Sequence, residues 1–141
     1  MANAQSAVDD KTFFAGAHLG ITIDQCAAYY RELGHVGVLE HSGAPRGQRS
    51  FDFRTGSNPL LTDDAQWRQR RVYVYFRTSD GKIVSLEYWK SGADNETFSK
   101  EEIRYLKDLN KGQGSLVTEI AEEGTVFTVT TAEQEKIEQA Q

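Results

Sequence analysis

Four ionisable side chains capable of proton transfer occur in runs that we predict to be β-strands: Glu40, His41, Asp52 and Glu87. A carboxylate buried within a strand has a raised pKa and can then act as a general acid or base. One hypothesis is therefore a small-ligand-binding domain or small enzyme with a pocket lined by these four residues. The competing interpretation, which we favour, is that charges at alternate positions of half-exposed strands face water and form cross-strand pairs.

The common catalytic signatures are missing from the chain. It contains no phosphate-cradling glycine loop, nucleophile elbow, paired-cysteine metal motif or histidine pair at helical spacing. The single Cys26 lies on the apolar stripe of a predicted helix, which is typical of a core residue. His18, His35 and His41 lack the spacing of metal ligands. The sequence thus predicts a protein that is not an enzyme, with no catalytic residues, metal or cofactor.

Aromatic side chains are densest in one predicted β-hairpin. Asp80-Gly81 favours a type I′ turn between the runs 71–78 and 82–89. That turn places Tyr75 opposite Leu86 and Tyr73 opposite Tyr88. One face of the hairpin would then carry Val72, Val74, Phe76, Ile83 and Trp89, and the other Tyr73, Tyr75, Val84, Leu86 and Tyr88. Neither face is the polar surface of a sheet that is open to water.

This aromatic hairpin is the predicted binding site, because Tyr, Trp and Arg dominate the energetics of protein interfaces. The predicted binding residues are Trp67, Tyr73, Tyr75, Tyr88 and Trp89, with Arg71 and Arg77 at the rim. Since the predicted helices can cover only one face of a sheet, the other face needs a partner, either another protein or a second copy in a homodimer. The alternative is that these rings are core residues, covered by helices on one face and the terminal hairpin on the other.

The helices are marked by their caps. Thr22 and Gln25 form a capping box ahead of an apolar stripe that ends at Gly34, and Ser99 and Glu102 open a second helix that ends near Asn110. A third cap, Thr131, precedes a short helix whose lone large apolar residue, Ile137, predicts a tail frayed in solvent.

Further strands are predicted at 36–41, 49–53, 116–121 and 125–129, joined by short loops, so the sheet should be largely antiparallel. A long surface excursion is predicted for 55–66, with Leu60 and Leu61 as its apolar part. The predicted fold class is α+β, with helices packed on one face of the sheet. We divide the chain into a disordered leader (1–12), one domain (13–130) and a short terminal helix or frayed tail (131–141).

The composition supports one folded domain: 141 residues, 38% hydrophobic and 26% charged. The formal net charge of −5 argues against a nucleic-acid partner, although the chain has a basic cluster interleaved with aromatic residues: Arg68, Arg70 and Arg71 with Arg77 beyond, among Trp67 and Tyr73. No apolar run is long enough for a transmembrane segment. The small-x-small pattern Ala2-Asn3-Ala4 resembles a signal-peptidase site and favours a periplasmic or secreted protein, with cytoplasmic residence left open.

Three features occur between residues 20 and 90: the run Gly20-Ile21-Thr22-Ile23-Asp24-Gln25, the helix ending Glu32-Leu33-Gly34, and the aromatic hairpin closing in Asp80-Gly81-Lys82-Ile83. Together they resemble the small exported domains of the BamE and β-lactamase-inhibitor-protein (BLIP) type. It implies a helical layer on one side of an antiparallel sheet whose open face binds another protein. No functional residue of those domains has a matching motif here.

Overall fold

A computed structural model describes residues 9–56, 60, 67–94 and 96–140. The helices are α1 (Asp10–Phe14), α2 (Ile23–Leu33), α3 (Lys100–Leu109) and α4 (Ala132–Gln139). The strands are β1 (Gly37–His41), β2 (Gln48–Gly56), β3 (Arg68–Arg77), β4 (Ile83–Gly92), β5 (Leu116–Ala121) and β6 (Val126–Thr131). They form one six-stranded sheet in the order β1-β2-β3-β4-β6-β5, and every neighbouring pair is antiparallel. The predicted α+β fold with an antiparallel sheet is confirmed.

Both predicted capping boxes are present. The Thr22 hydroxyl accepts a hydrogen bond from the Gln25 backbone N–H at 3.2 Å, and the Gln25 side chain accepts one from the Thr22 N–H at 2.9 Å. Ser99 and Glu102 make the same reciprocal pair at the start of α3. Gly34 ends α2 with a φ of 83°, a left-handed value that glycine adopts without strain.

The core lies on one side of the sheet, which we call the helical face. Helices α1, α2 and α3 pack there through side chains that include Phe13, Tyr30 and Leu106, each at most 2% exposed. Cys26 is fully buried among them, as predicted, and burial raises the pKa of its thiol to about 12. Helix α1 was not predicted, and it begins inside the segment assigned to a disordered leader.

The β3–β4 hairpin differs from the prediction by one residue. Arg77 pairs with Lys82 around a four-residue loop, residues 78–81, and a bulge lies between Tyr75 and Phe76. As a result Tyr73 lies opposite Glu87 instead of Tyr88, and the predicted register is wrong. Because successive side chains alternate between faces, a slip of one residue exchanges the faces of β4 from Ser85 onward. Ile83, beyond the bulge, pairs with Phe76 and stays in the core on the helical face.

We call the side of the sheet opposite the helical face the open face. Helix α4 crosses one end of it, where Gln134 is 3% exposed and exchanges hydrogen bonds of 2.9 and 2.8 Å with Gln48 of β2. Of the two forms predicted for residues 131–141, the structure has the short helix, and this helix packs on the face opposite α1, α2 and α3. Polar contacts with β2 hold α4, although Ile137 is 43% exposed.

The predicted 55–66 excursion lies largely outside the described residues, as do residues 1–8 of the predicted leader and Leu61. Leu60 is described and is 89% exposed. Within the described ranges, no helix has the length and apolar character needed to cross a membrane.

Candidate functional site

A buried carboxylate lies on the open face, in the part formed by strands β1, β2 and β3. Asp52 of β2 is 0% exposed, and its Oδ2 atom accepts hydrogen bonds from the Nη2 atoms of Arg54 at 2.5 Å and Arg71 at 3.0 Å. The Nε2 atom of His41, on β1, lies 3.2 Å from the same oxygen. The strand register brings these residues together, because Asp52 pairs with Leu39 and Tyr73, while Arg54 pairs with Arg71. A single carboxylate thus holds two guanidiniums and an imidazole in place.

Three rings form a stack across the open face, from the edge strand to β4. His41 stacks on Tyr73 with a centroid separation of 5.0 Å, and Tyr73 stacks on Trp89 at 5.5 Å. The Arg71 guanidinium lies 4.9 Å from the Tyr73 centroid and 5.8 Å from that of Trp89, and it donates a hydrogen bond to the Tyr73 hydroxyl. Each ring is only partly buried. The result is a partly exposed array with the aromatic and cationic character of an interface anchor.

Glu87 lies beside this array and is held in an unfavourable environment. Burial raises the pKa of Glu87 above its ordinary value, and the negative charges of Glu138 and Glu122 act in the same direction. The Trp89 Nε1–H donates a hydrogen bond of 3.1 Å to Glu87 and opposes that shift only in part. A half-buried carboxylate that destabilises the fold is the kind of group found at functional sites more often than elsewhere.

Replacing Glu87 with glutamine should therefore stabilise the protein at neutral pH. A carboxylate with a raised folded-state pKa stabilises the fold when it is protonated, and this stabilisation is lost as the pH rises from 4.5 through the folded-state value. Thermal unfolding followed by circular dichroism should show a higher Tm for Glu87→Gln than for wild type at pH 7, and little difference at pH 4.

The matched control is Glu119→Gln, which changes an exposed carboxylate on β5 of the same face. An equal stabilisation by both substitutions would mean that general charge reduction, and not the environment of Glu87, is responsible.

The structure brings only some of the predicted binding residues together. Tyr73, Tyr75, Trp89 and Arg71 share the open face. Tyr88 does not, because it is 0% exposed on the helical face, where its hydroxyl donates to the Ala17 carbonyl at 2.6 Å. The placement of Tyr88 with Tyr73 was a direct consequence of the incorrect register.

The two remaining predicted binding residues, Arg77 and Trp67, lie at opposite ends of strand β3. Arg77 is exposed at the end of β3, where it pairs with Asp80 at 2.8 Å. Trp67 lies just before β3 and, with Trp89, lines an open depression of about 290 Å3.

The four residues predicted to line a small-ligand pocket lie on both faces of the sheet. His41, Asp52 and Glu87 share the open face, whereas Glu40 points to the other side of β1 and pairs with Arg49 at 2.8 Å. A second open depression, of about 310 Å3, includes Glu87, Glu138 and Tyr75 in its lining and contains none of the other three. In the part of the chain that the structure describes, no group of three His, Cys, Asp or Glu side chains is placed to hold a metal ion.

Arg54 was missed by the sequence interpretation. Its position in the alternating run Phe51-Asp52-Phe53-Arg54 places it on the same face as Asp52, and that signal was available. The basic cluster, in contrast, separates in space: Arg71 faces the open side, whereas Arg70 is buried on the helical face with Asp10 and Glu96.

Comparison with protein-family models, curated proteins and solved structures finds no match. The function is therefore inferred from the geometry of the chain itself.

Proposed function

We propose that this protein is a non-enzymatic binding domain that recognises another protein through the open face of its sheet. The observation that carries the proposal is the array of His41, Tyr73 and Trp89 with Arg71 across two of its rings. The side chains of His41 and Arg71 in this array, and of the neighbouring Arg54, are 37%, 22% and 28% exposed, so solvent reaches this part of the open face. An exported setting and the resemblance to BamE and BLIP-type domains stay predictions.

Hydrogen bonds within the chain hold the array in one geometry. The buried Asp52 carboxylate fixes two arginines and the imidazole, and the Tyr73 hydroxyl accepts from Arg71. Side chains already held in one geometry lose little conformational entropy on association, which favours binding. Tyr, Trp and Arg are also the residues enriched where truncation costs most at protein interfaces.

The alternative function, a small-ligand site or enzyme, has weaker support. The Oδ2 atom of Asp52 accepts from two arginines, and its Oδ1 atom, which has no partner among the described residues, is buried, so this carboxylate is not placed to take a proton from a substrate. Glu40 is on the opposite side of the sheet. An extended, partly exposed array is better suited to a protein surface than to an enclosed small molecule.

A photo-crosslinking residue at position 73, followed by capture from the native source, tests the proposal. We expect a specific crosslinked protein, and we expect the double substitution Tyr73→Ala with Trp89→Ala to weaken its binding about 100-fold or more, as truncation of two anchor rings does. The control is Tyr105→Ala, which removes a half-exposed ring from α3, away from the open face.

Circular dichroism must show that the double variant stays folded. Retained binding by a folded double variant, or equal loss with Tyr105→Ala, would contradict the proposal. If the double variant unfolds, the rings serve the fold and the proposal fails.

A further inference from the structure

Two arginines face each other on the open face at neighbouring strands. Arg54 of β2 is the register partner of Arg71 of β3, so both guanidiniums lie on one side of the sheet. Like charges in directly opposed positions destabilise a sheet. The Asp52 carboxylate, which contacts both, balances one of the two positive charges. The pair therefore keeps an excess positive charge, in a chain whose formal net charge is −5.

The two guanidiniums also retain unused hydrogen-bond donors. Each contacts Asp52 through Nη2, and among the described residues neither Nη1 atom has a hydrogen-bond partner. The Nε atoms of both arginines also lack an acceptor in the described part of the chain, but they are buried, so the Nη1 atoms are the donors that a partner can reach. A guanidinium offers five N–H donors in a planar fork that matches a carboxylate. The partly exposed pair is thus a cationic donor site with capacity for one more oxyanion.

We propose that Arg54 and Arg71 bind a carboxylate side chain from an acidic segment of the partner protein, with Trp89 and Tyr73 packing against an adjacent apolar side chain. This inference rests on the proposed function and names the chemistry of the partner. Glu87, Glu119 and Glu138 carry negative charge on the β4–β6–β5 side of the face and disfavour a densely charged polyanion. A segment with single carboxylates between apolar residues fits both the arginine pair and the acidic β4–β6–β5 side of the open face.

The probe is a short fluorescein-labelled peptide that alternates glutamate with leucine, titrated with the intact protein by fluorescence anisotropy at low salt. A matched peptide has glutamine at every glutamate. We expect the glutamate peptide to bind about 10-fold tighter or more, the difference that charge-assisted hydrogen bonds supply. Its affinity should fall as sodium chloride is added, because salt screens exposed charges.

The variants Arg54→Gln and Arg71→Gln should each reduce binding of the glutamate peptide about 10-fold. Arg77→Gln is the control, since Arg77 is exposed on the same strand, pairs with Asp80 and lies outside the site. In the wild-type protein, the side-chain Nε–H NMR signals of Arg54 and Arg71 should shift with the glutamate peptide while that of Arg77 does not. This readout needs no variant to fold.

Equal binding of the glutamate and glutamine peptides would overturn the inference, and so would an equal effect of Arg77→Gln. Displacement of the peptide by inorganic phosphate but not by glutarate would reassign the site to phosphate. If the protein crosslinked at position 73 binds Arg54→Gln and Arg71→Gln as tightly as wild type, the inference fails while the proposed function stands.

Discussion

Replacing Asn110 with alanine should lower the free energy of unfolding by about 3 kcal/mol, because it leaves buried polar groups without partners. Asn110 is 0% exposed at the C-terminal end of α3. Its Oδ1 accepts from the Leu19 N–H at 2.8 Å, and its Nδ2 donates to the Leu106 carbonyl at 2.8 Å and the Tyr88 hydroxyl at 3.1 Å. One side chain thus joins the segment before α2, helix α3 and strand β4.

The measurement is urea denaturation followed by circular dichroism. The companion variant Tyr88→Phe removes only a hydroxyl, which accepts from Asn110 and donates to Ala17 at 2.6 Å. We expect it to cost about 1–2 kcal/mol. The two substitutions together should cost less than the sum of their separate effects, because they interrupt one network. A loss under about 1 kcal/mol for Asn110→Ala would show that water replaces the side chain.

Replacing Arg70 with methionine should cost about 2 kcal/mol at pH 7, because carboxylates on the helical face lose their buried partner. The Arg70 side chain is 6% exposed, and its Nε and Nη2 atoms donate to Asp10 at 2.7 Å and Glu96 at 2.8 Å. Lys90, also 6% exposed, lies 3.3 Å from Asp10 and 2.7 Å from Glu102. We place the cost below the usual value for a fully buried pair because Asp10 and Glu96 remain 28% and 19% exposed.

The ion pairs that Arg70 and Lys90 make with carboxylates also affect the stability of the protein in acid. Burial raises the pKa of Asp10, but hydrogen bonds and charges from Arg70 and Lys90 outweigh burial and hold it below the ordinary 3.8. Burial also raises the pKa of Glu102, but its hydrogen bonds with Lys90 and the Ser99 N–H outweigh burial and hold that pKa below the ordinary 4.5. A lowered folded-state pKa gives stability that is present above these ordinary values and is lost as the pH falls through the folded-state values.

The difference in unfolding free energy between wild type and Arg70→Met should therefore shrink between about pH 5 and pH 2. Arg68→Met is the matched control, because Arg68 also contacts Glu96, at 2.7 Å, but its side chain is 66% exposed. We expect this control to cost under about 1 kcal/mol. A pH-independent cost for Arg70→Met would assign its role to packing of the side-chain stem and not to charge.

Local sequence determined where helices α2, α3 and α4 begin. Thr22, Ser99 and Thr131 each accept a hydrogen bond from the third following N–H, and the capping residues that predict the helices are the ones that cap them. The Asp80-Gly81 turn signal likewise predicted strands β3 and β4, and alternating apolar side chains predicted β5 and β6, within a few residues at their ends. These features depend on contacts between residues close in the chain, so a single sequence contains them.

Tertiary structure decided the register of β4 and hence the membership of the candidate site. Apolar and aromatic residues occur at both parities of β3 and β4, so the sequence pattern did not distinguish two registers one residue apart. The bulge beside Tyr75 selected the register that sends Tyr88 into the core and sets Glu87 and Trp89 on the open face. The contacts of Asp52 with His41 and Arg71 join three strands, with sequence separations of 11 and 19 residues. Such contacts depend on which strands become neighbours and in what register, which short-range residue patterns do not specify.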